Sequence, residues 1–315
     1  MARTGGDDAA QPRSLASRLA PWALLGMAVL WGSTFFSIKA LLGQIGAADL
    51  LAVRFSLSTI VLILVFRRVW PMERRLFLRG AALGGFYATA QLLQTVGLGH
   101  TSASVSGFLT GLYVVLTPVV GFALFRQRLH RMVWLAVGLA LAGLAGLAIH
   151  PGEGPLIGYG DLLTIGSALF YAIHIVFLGR WSKPSDAGAL TVVQAITMTL
   201  VFIVAALPGG IGWPQTTSAW LWIVYLAIPC GAVALLAQTW AQGYVPPTKA
   251  SVIMCSEPLW ATVFAIAFGG ERLTGQFVLG AVAVLAAMYV VIKGPPPDDT
   301  LARSGRPGTS DDEVS

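Results

Sequence analysis

The sequence predicts an all-α polytopic membrane protein with ten transmembrane helices in two inverted five-helix repeats. Three observations carry that expectation. Strongly apolar, nearly uncharged stretches follow one another along the 315 residues, each about as long as the roughly 20 residues a helix needs to cross a bilayer. Hydrophobic residues make up 56% of the chain and charged ones only 11%, with a mean hydropathy of +0.75, well away from the usual soluble composition. A shift of 144 residues also brings polar pairs in the two halves into register: Gln94-Thr95 meets Gln238-Thr239, Gly99 meets Gly243, and Arg128-Leu129 meets Arg272-Leu273.

The expected spans cover 20–42, 48–66, 77–98, 102–125, 133–149, 159–179, 187–207, 218–241, 247–269 and 274–292. Span 1 is too long for a removable signal peptide and lacks an A-x-A cleavage pattern, so it is read as retained. It carries Trp31, Thr34 and Ser37. Span 3 carries Tyr87, Gln91, Gln94 and Thr95 at i, i+4, i+7 and i+8, which is one helical stripe. Span 4 repeats the pattern with Thr110, Tyr113 and Thr117, and span 6 with Thr164, Ser167, Tyr171 and His174. Span 8 adds Gln238, Trp240 and Gln242, and span 9 adds Glu257 and Trp260. Polar groups in a bilayer are costly unless they face protein or water. Spans 1, 3, 4, 6, 8 and 9 are therefore expected around a central cavity, although interhelical hydrogen bonding across a solid core would give similar stripes. Spans 5 and 10 have small residues and no polar stripe. They are expected at the periphery, suited to close helix packing or to contact in a homodimer.

Connections of a few residues make neighbouring spans antiparallel. Residues 20–150 and 151–293 form the two expected repeats. Spans 1 and 2 align with 6 and 7 at slightly different shifts, with Trp31 near Phe170 and Arg54 near Gln194. A unit of five crossings is odd, so its second copy enters from the opposite side and the repeat is inverted. The flanks at 1–19 and 294–315, rich in Gly, Pro, Ser and Asp, are expected to be disordered cytoplasmic tails.

A net charge of +6 could suggest nucleic acid, but its placement argues otherwise. With the N-terminus in the cytoplasm, seventeen of the twenty Lys and Arg fall on that side, Arg272 falls on the other, and Lys39 and Arg54 lie within spans. The positive-inside rule then sets both termini in the cytoplasm of a multi-pass plasma-membrane protein. The two cysteines, Cys230 and Cys255, lie inside spans and read as small buried apolar groups. No spacing suggests a metal site, a disulfide framework or a nucleotide-binding loop, so no cofactor is expected.

The pieces LWGSTFFSIK in span 1, TSASVSGFLTGLYVVLTP in span 4 and VPPTKASVIMCSEPLWATVFAIAFGGERL through span 9 resemble the EamA type of the drug/metabolite transporter superfamily. The resemblance covers about residues 23–293. It implies ten helices in two inverted halves and the export or exchange of small metabolites. The halves differ at two places: Gln127 stands where the second half has Glu271, and Tyr113-Val114 where it has Glu257-Pro258.

Glu257 is the leading site candidate. It lies ten residues beyond Pro247, about 15 Å along the helix and so midway through a roughly 30 Å hydrocarbon core. A carboxyl there is protonated, paired or facing water. Pro258 cannot donate its backbone hydrogen bond and tends to kink the helix. The residue reads as a proton-coupling carboxyl, a partner for a substrate amine, or a structural Glu held by a neighbouring helix. His174 reads as a core histidine or a proton relay. Lys39 and Arg54 lie toward the outer ends of their spans, where long stems can snorkel; Asp49 could pair Arg54, and Lys39 could gate or touch substrate. Trp31, Phe35, Tyr113, Phe170, Tyr171 and Trp260 would make an amphipathic pocket suited to medium-sized organic solutes such as amino acids or drug-like molecules. The expected function is secondary transport by alternating access, coupled to protons or to exchange. The alternatives are a channel or non-transporting scaffold, and an intramembrane enzyme. His100, His130, His150 and His174 are too scattered to favour the last.

Overall fold

The computed structural model describes residues 15–126, 131–148, 157–254, 256–272 and 275–293. The expected tails at 1–14 and 294–315 lie outside these residues, as do Gln127, His130, His150 and Cys255. The described chain is all-helical: α1 (Leu15–Leu42), α2 (Ala47–Val65), α3 (Arg74–Leu98), α4 (Ala103–Gly111), α5 (Tyr113–Phe125), α6 (Arg131–Ala148), α7 (Tyr159–Trp181), α8 (Ala187–Ala206), α9 (Thr217–Ala227), α10 (Ala234–Ala241), α11 (Pro247–Met254), α12 (Glu257–Ala267) and α13 (Gly275–Lys293). Among the described residues, seven segments are long and apolar enough to cross a membrane: Leu15–Leu42, Ala47–Val65, Ala103–Phe125, Tyr159–Trp181, Pro184–Gly209, Thr217–Ala241 and Pro247–Ala267. The protein is a multi-pass membrane protein.

Helix ends follow local chemistry. The Ser102 hydroxyl accepts from the Val105 amide at 3.1 Å and caps α4, and Thr216 accepts from Ala219 at 3.2 Å to cap α9. Such caps satisfy amides that have no partner inside the helix. One boundary departs from expectation: α1 starts at Leu15, so 15–19 are helical and not part of a tail. Leu, Ala and Arg favour helix there, and Ala20 and Leu24 just beyond are fully buried.

Three helices are interrupted in their middles. α4 gives way to α5 at Leu112, and α11 ends at Met254 before α12 starts at Glu257. Between α9 and α10, Ile228–Val233 winds as a π-helix with Pro229 in its first turn. A proline supplies no amide and a π-turn shifts the hydrogen-bond ladder, so carbonyls are released inside the bundle. Side chains of α1 and α2 take them up. Trp31 Nε1 donates to the Cys230 carbonyl at 3.0 Å, Arg54 Nε to Leu226 at 3.0 Å, and Ser58 Oγ to Ala227 at 2.7 Å. Cys230 itself is buried.

α2 packs on α8, α3 on α7 and α8, α1 on α10 and α12, and α4 and α5 on α7. Close backbone approach needs glycine at Gly32, where a Cβ would sit 2.4 Å from the Trp260 Cβ. α6 and α13 pack mainly on each other. Trp134, Leu135, Leu279 and Val282 on this pair are exposed, as suits a lipid-facing surface.

Candidate functional site

Around the mid-helix breaks, side chains from several helices converge on one enclosed space. Its walls are Trp31 and Thr34 of α1, Arg54 of α2, Tyr87, Gln91 and Gln94 of α3, Thr110 and Tyr113 flanking the α4–α5 break, Tyr171 and Ile175 of α7, Gln238 of α10, Met254 of α11 and Glu257 of α12. The cavity measures only about 20 Å³, room for about one water molecule. No organic solute fits while it is closed.

The polar groups form a network. The Tyr113 hydroxyl donates to Glu257 Oε2 at 3.1 Å. The Tyr171 hydroxyl reaches Gln91 Oε1 at 3.0 Å and Gln94 Oε1 at 3.1 Å; having one proton, it donates to one of them at a time. Gln94 Nε2 donates to Thr110 Oγ1 at 2.9 Å, and Gln91 Nε2 to Gln94 Oε1 at 3.3 Å. Tyr87 meets Trp31 and Tyr171 edge-on, with ring centroids 6.0 and 5.3 Å apart. Two groups are left over: Arg54 Nη1 and Gln238 Oε1 are buried without a hydrogen-bond partner. Glu257 is 5% exposed and Arg54 2%, so both ionisable groups stand in an apolar setting where a charge must be compensated.

Polar contacts tie the helices together at both ends of the bundle. At the end carrying residues 43–46 and 99–102, the Glu271 carboxylate accepts from the amides of Ala103 at 2.6 Å and Ser104 at 3.1 Å, the first turn of α4. There too Lys39 Nζ donates to the Leu98 carbonyl at 3.2 Å and to that of Thr101, tying α1 to the end of α3. At the opposite end Ser182 Oγ donates to the Thr239 carbonyl at 2.7 Å and Gln242 Nε2 to Ile175 at 3.1 Å. The Arg180 guanidinium lies 3.6 Å from the centroid of the Phe125 ring.

Of the residues singled out in the sequence, Trp31, Tyr87, Gln91, Gln94, Thr110, Tyr113, Tyr171 and Glu257 meet at this cavity. Phe35 and Phe170, expected in the pocket, do not line it, and three further candidates lie elsewhere. His174 is fully buried against α8, where its Nε2 donates to Gln194 Oε1 at 2.9 Å, and its ring packs edge-on to Tyr87. Trp260 is half-buried beside Gly32 and stacks toward Phe264. Lys39 belongs to the end closure. Arg54 corrects the sequence reading most. It neither snorkels nor pairs with Asp49: α2 lies against the α9–π segment, so the guanidinium turns inward to the released Leu226 carbonyl. Its alignment near Gln194, polar in both halves, was the available signal. A larger, mostly apolar groove of about 730 Å³ opens at one end beside Phe66, Leu76 and Trp240; of the cavity candidates named from the sequence only Trp240 lines it, and it does not line the smaller central space.

A multi-pass helical bundle that buries a polar, closed compartment between interrupted helices has the build of a membrane transporter. The chain belongs to the EamA-like transporter family, matched over residues 18–149 and 158–293, and with it to the drug/metabolite transporter type. It is 28% identical to an uncharacterized transporter of Archaeoglobus fulgidus over 84% of this chain and 83% of that one. It is 30% identical to the threonine/homoserine exporter RhtA of Escherichia coli, over 84% and 88% of the two chains. The uncharacterized inner membrane transporter YedA of Escherichia coli is 25% identical, over 86% and 90%. A solved crystal structure shares the fold with a TM-score of 0.65 at 17% identity, covering 91% of this chain and 98% of its own.

Proposed function

We propose that this protein is a secondary transporter of small organic solutes, amino acids foremost, and that it works by alternating access between two inverted five-helix halves. In this reading the chain crosses the plasma membrane ten times with both termini in the cytoplasm. The 17-to-1 distribution of Lys and Arg between the two faces supports that orientation. Export is the direction suggested by the name of the RhtA relative.

The observation that carries the proposal is the contact between Tyr113 and Glu257. These residues stand 144 apart, the shift that relates the halves in sequence. A point on a twofold axis maps onto itself, so a residue near the axis must touch its own equivalent. Thr59 and Thr199 do the same, their hydroxyls sharing a hydrogen bond of 2.9 Å at the 140-residue offset that relates Arg54 to Gln194. Two of the three interruptions, at Leu112 and at Ser256, obey the 144-residue relation as well. An inverted pair has two near-equivalent packings, one open to each side, with the binding site between them. The small compartment, in a bundle whose helices are tied at both ends, corresponds to the occluded intermediate and argues against a continuous pore. Glu257 serves as the coupling carboxyl, exchanging its Tyr113 hydrogen bond for a proton or a substrate amine as the halves separate.

The test is counterflow of labelled amino acids in proteoliposomes containing the full chain, measured across pH. Wild-type protein should show saturable counterflow. Glu257→Gln, with normal expression and a monodisperse elution profile, should lose flux or lose its pH dependence. A Glu257→Gln variant whose flux and pH profile match wild type would remove the coupling role.

A further inference from the structure

The structure assigns to Arg54 the anchoring of a carboxylate on the transported solute, in the compartment that Glu257 also lines. This deepens the transporter reading above and rests on it. A guanidinium offers five N–H donors in a fixed fork. Here Nε is engaged by the Leu226 carbonyl, while Nη1 is buried at the cavity wall with no hydrogen-bond partner. The Leu226 carbonyl on Nε and the Phe55 ring 4.9 Å from the guanidinium carbon hold the fork in place, and an orientated donor without a hydrogen-bond partner, Nη1, is a poor structural element. Left alone it costs free energy; an entering carboxylate would satisfy it with a charge-assisted bond.

The rest of the compartment limits what that ligand is. On the same walls are one carboxyl, Glu257, and one unpartnered acceptor, Gln238 Oε1. A solute with one carboxylate and one amine meets the donor and the acceptors together and leaves no net buried charge. A dianion would face Glu257 with charge to spare, and a cationic amphiphile would leave Nη1 unsatisfied and add a second positive charge. Arg54 comes from the first half of the chain and Glu257 from the second, so a ligand spanning both draws the halves together. The geometry therefore points to small zwitterions over lipophilic cations, with Arg54 as the discriminating residue.

The experiment compares, in counterflow and in thermal stabilisation of the purified full chain, each neutral amino acid with its methyl ester and its des-amino acid. Ethidium serves as the cationic probe. Wild type should favour the free acid over the ester by roughly tenfold to a hundredfold, the range for one charge-assisted hydrogen bond. In Arg54→Met that preference should vanish, while Arg54→Lys should keep it in weakened form. Esters or ethidium carried by wild type as well as the acids would overturn the assignment while leaving the carrier intact. Undiminished acid preference in Arg54→Met would also overturn it. If Arg54→Met fails to fold, the wild-type acid-to-ester ratio and the Arg54→Lys variant decide. No counterflow of any solute would overturn the transporter reading, and the Arg54 assignment with it.

Discussion

Replacing Glu271 with alanine should open one end of the protein. The carboxylate bridges the loop after α12 to the first two amides of α4, at 2.6 and 3.1 Å, where a helix start favours negative charge. Hydrogen bonds to a charged group contribute about 1.5–3 kcal/mol each. Glu271 is only partly buried, and the freed amides can turn to water, so we discount the pair to about 1–3 kcal/mol in total. At about 1.4 kcal/mol per factor of ten, that shifts the balance between closed and open by about five- to a hundredfold. The assay is the labelling rate of Thr34→Cys at the cavity wall by a membrane-impermeant thiol reagent, with Cys230 and Cys255 replaced by alanine. Glu271→Ala should raise the rate by that factor, and Glu271→Gln, which keeps one good acceptor, by less. An unchanged or slower rate would show that the carboxylate does not hold that end shut.

Other outcomes follow from the same contacts. Tyr113→Phe removes the hydroxyl bonded to Glu257 and should lower the counterflow rate several-fold while circular dichroism stays unchanged; full activity would deny the pair a part in the cycle. His174→Ala breaks the bond to Gln194 and leaves a void, so the protein should lose about 1–3 kcal/mol of stability. Thermal melts would register this as a lower midpoint, with solute preference unchanged. An altered solute preference would return His174 to the binding site. Gly32→Leu forces a side chain into the Trp260 Cβ and should abolish monodisperse purification; a well-behaved variant would mean that α1 and α12 are not packed this closely.

The apolar runs announced helices because a bilayer leaves the backbone few alternatives, and period-3.6 stripes pointed most cavity residues inward. His174, Trp260 and Lys39 lie off the cavity wall, for geometric reasons that differ between them. His174 lies three residues after Tyr171, and Trp260 three after Glu257. At about 100° per residue, such a step turns a side chain about 60° from its neighbour. In α7 and α12 that step lands on a neighbouring helix, α8 for His174 and α1 for Trp260, whereas Trp31 and Thr34 in α1 and Gln91 and Gln94 in α3 take the same step and stay on the cavity. Lys39 is eight residues beyond Trp31, about 12 Å further along the axis, and so reaches the end of the bundle. Arg54 was opaque for another reason. Its inward turn depends on a carbonyl released by the π-helix around Pro229, a partner about 170 residues away in sequence that no local pattern around Arg54 announces.

The central claim is that one compartment faces the two sides in turn. Thiol accessibility of Thr110→Cys, measured in vesicles of both orientations, tests it most directly. The account predicts slow labelling from either side, with Glu271→Ala speeding it from the end that Glu271 closes and slowing it from the other. Protection from both sides in every condition, or fast labelling from both at once with an ionic current, would contradict it.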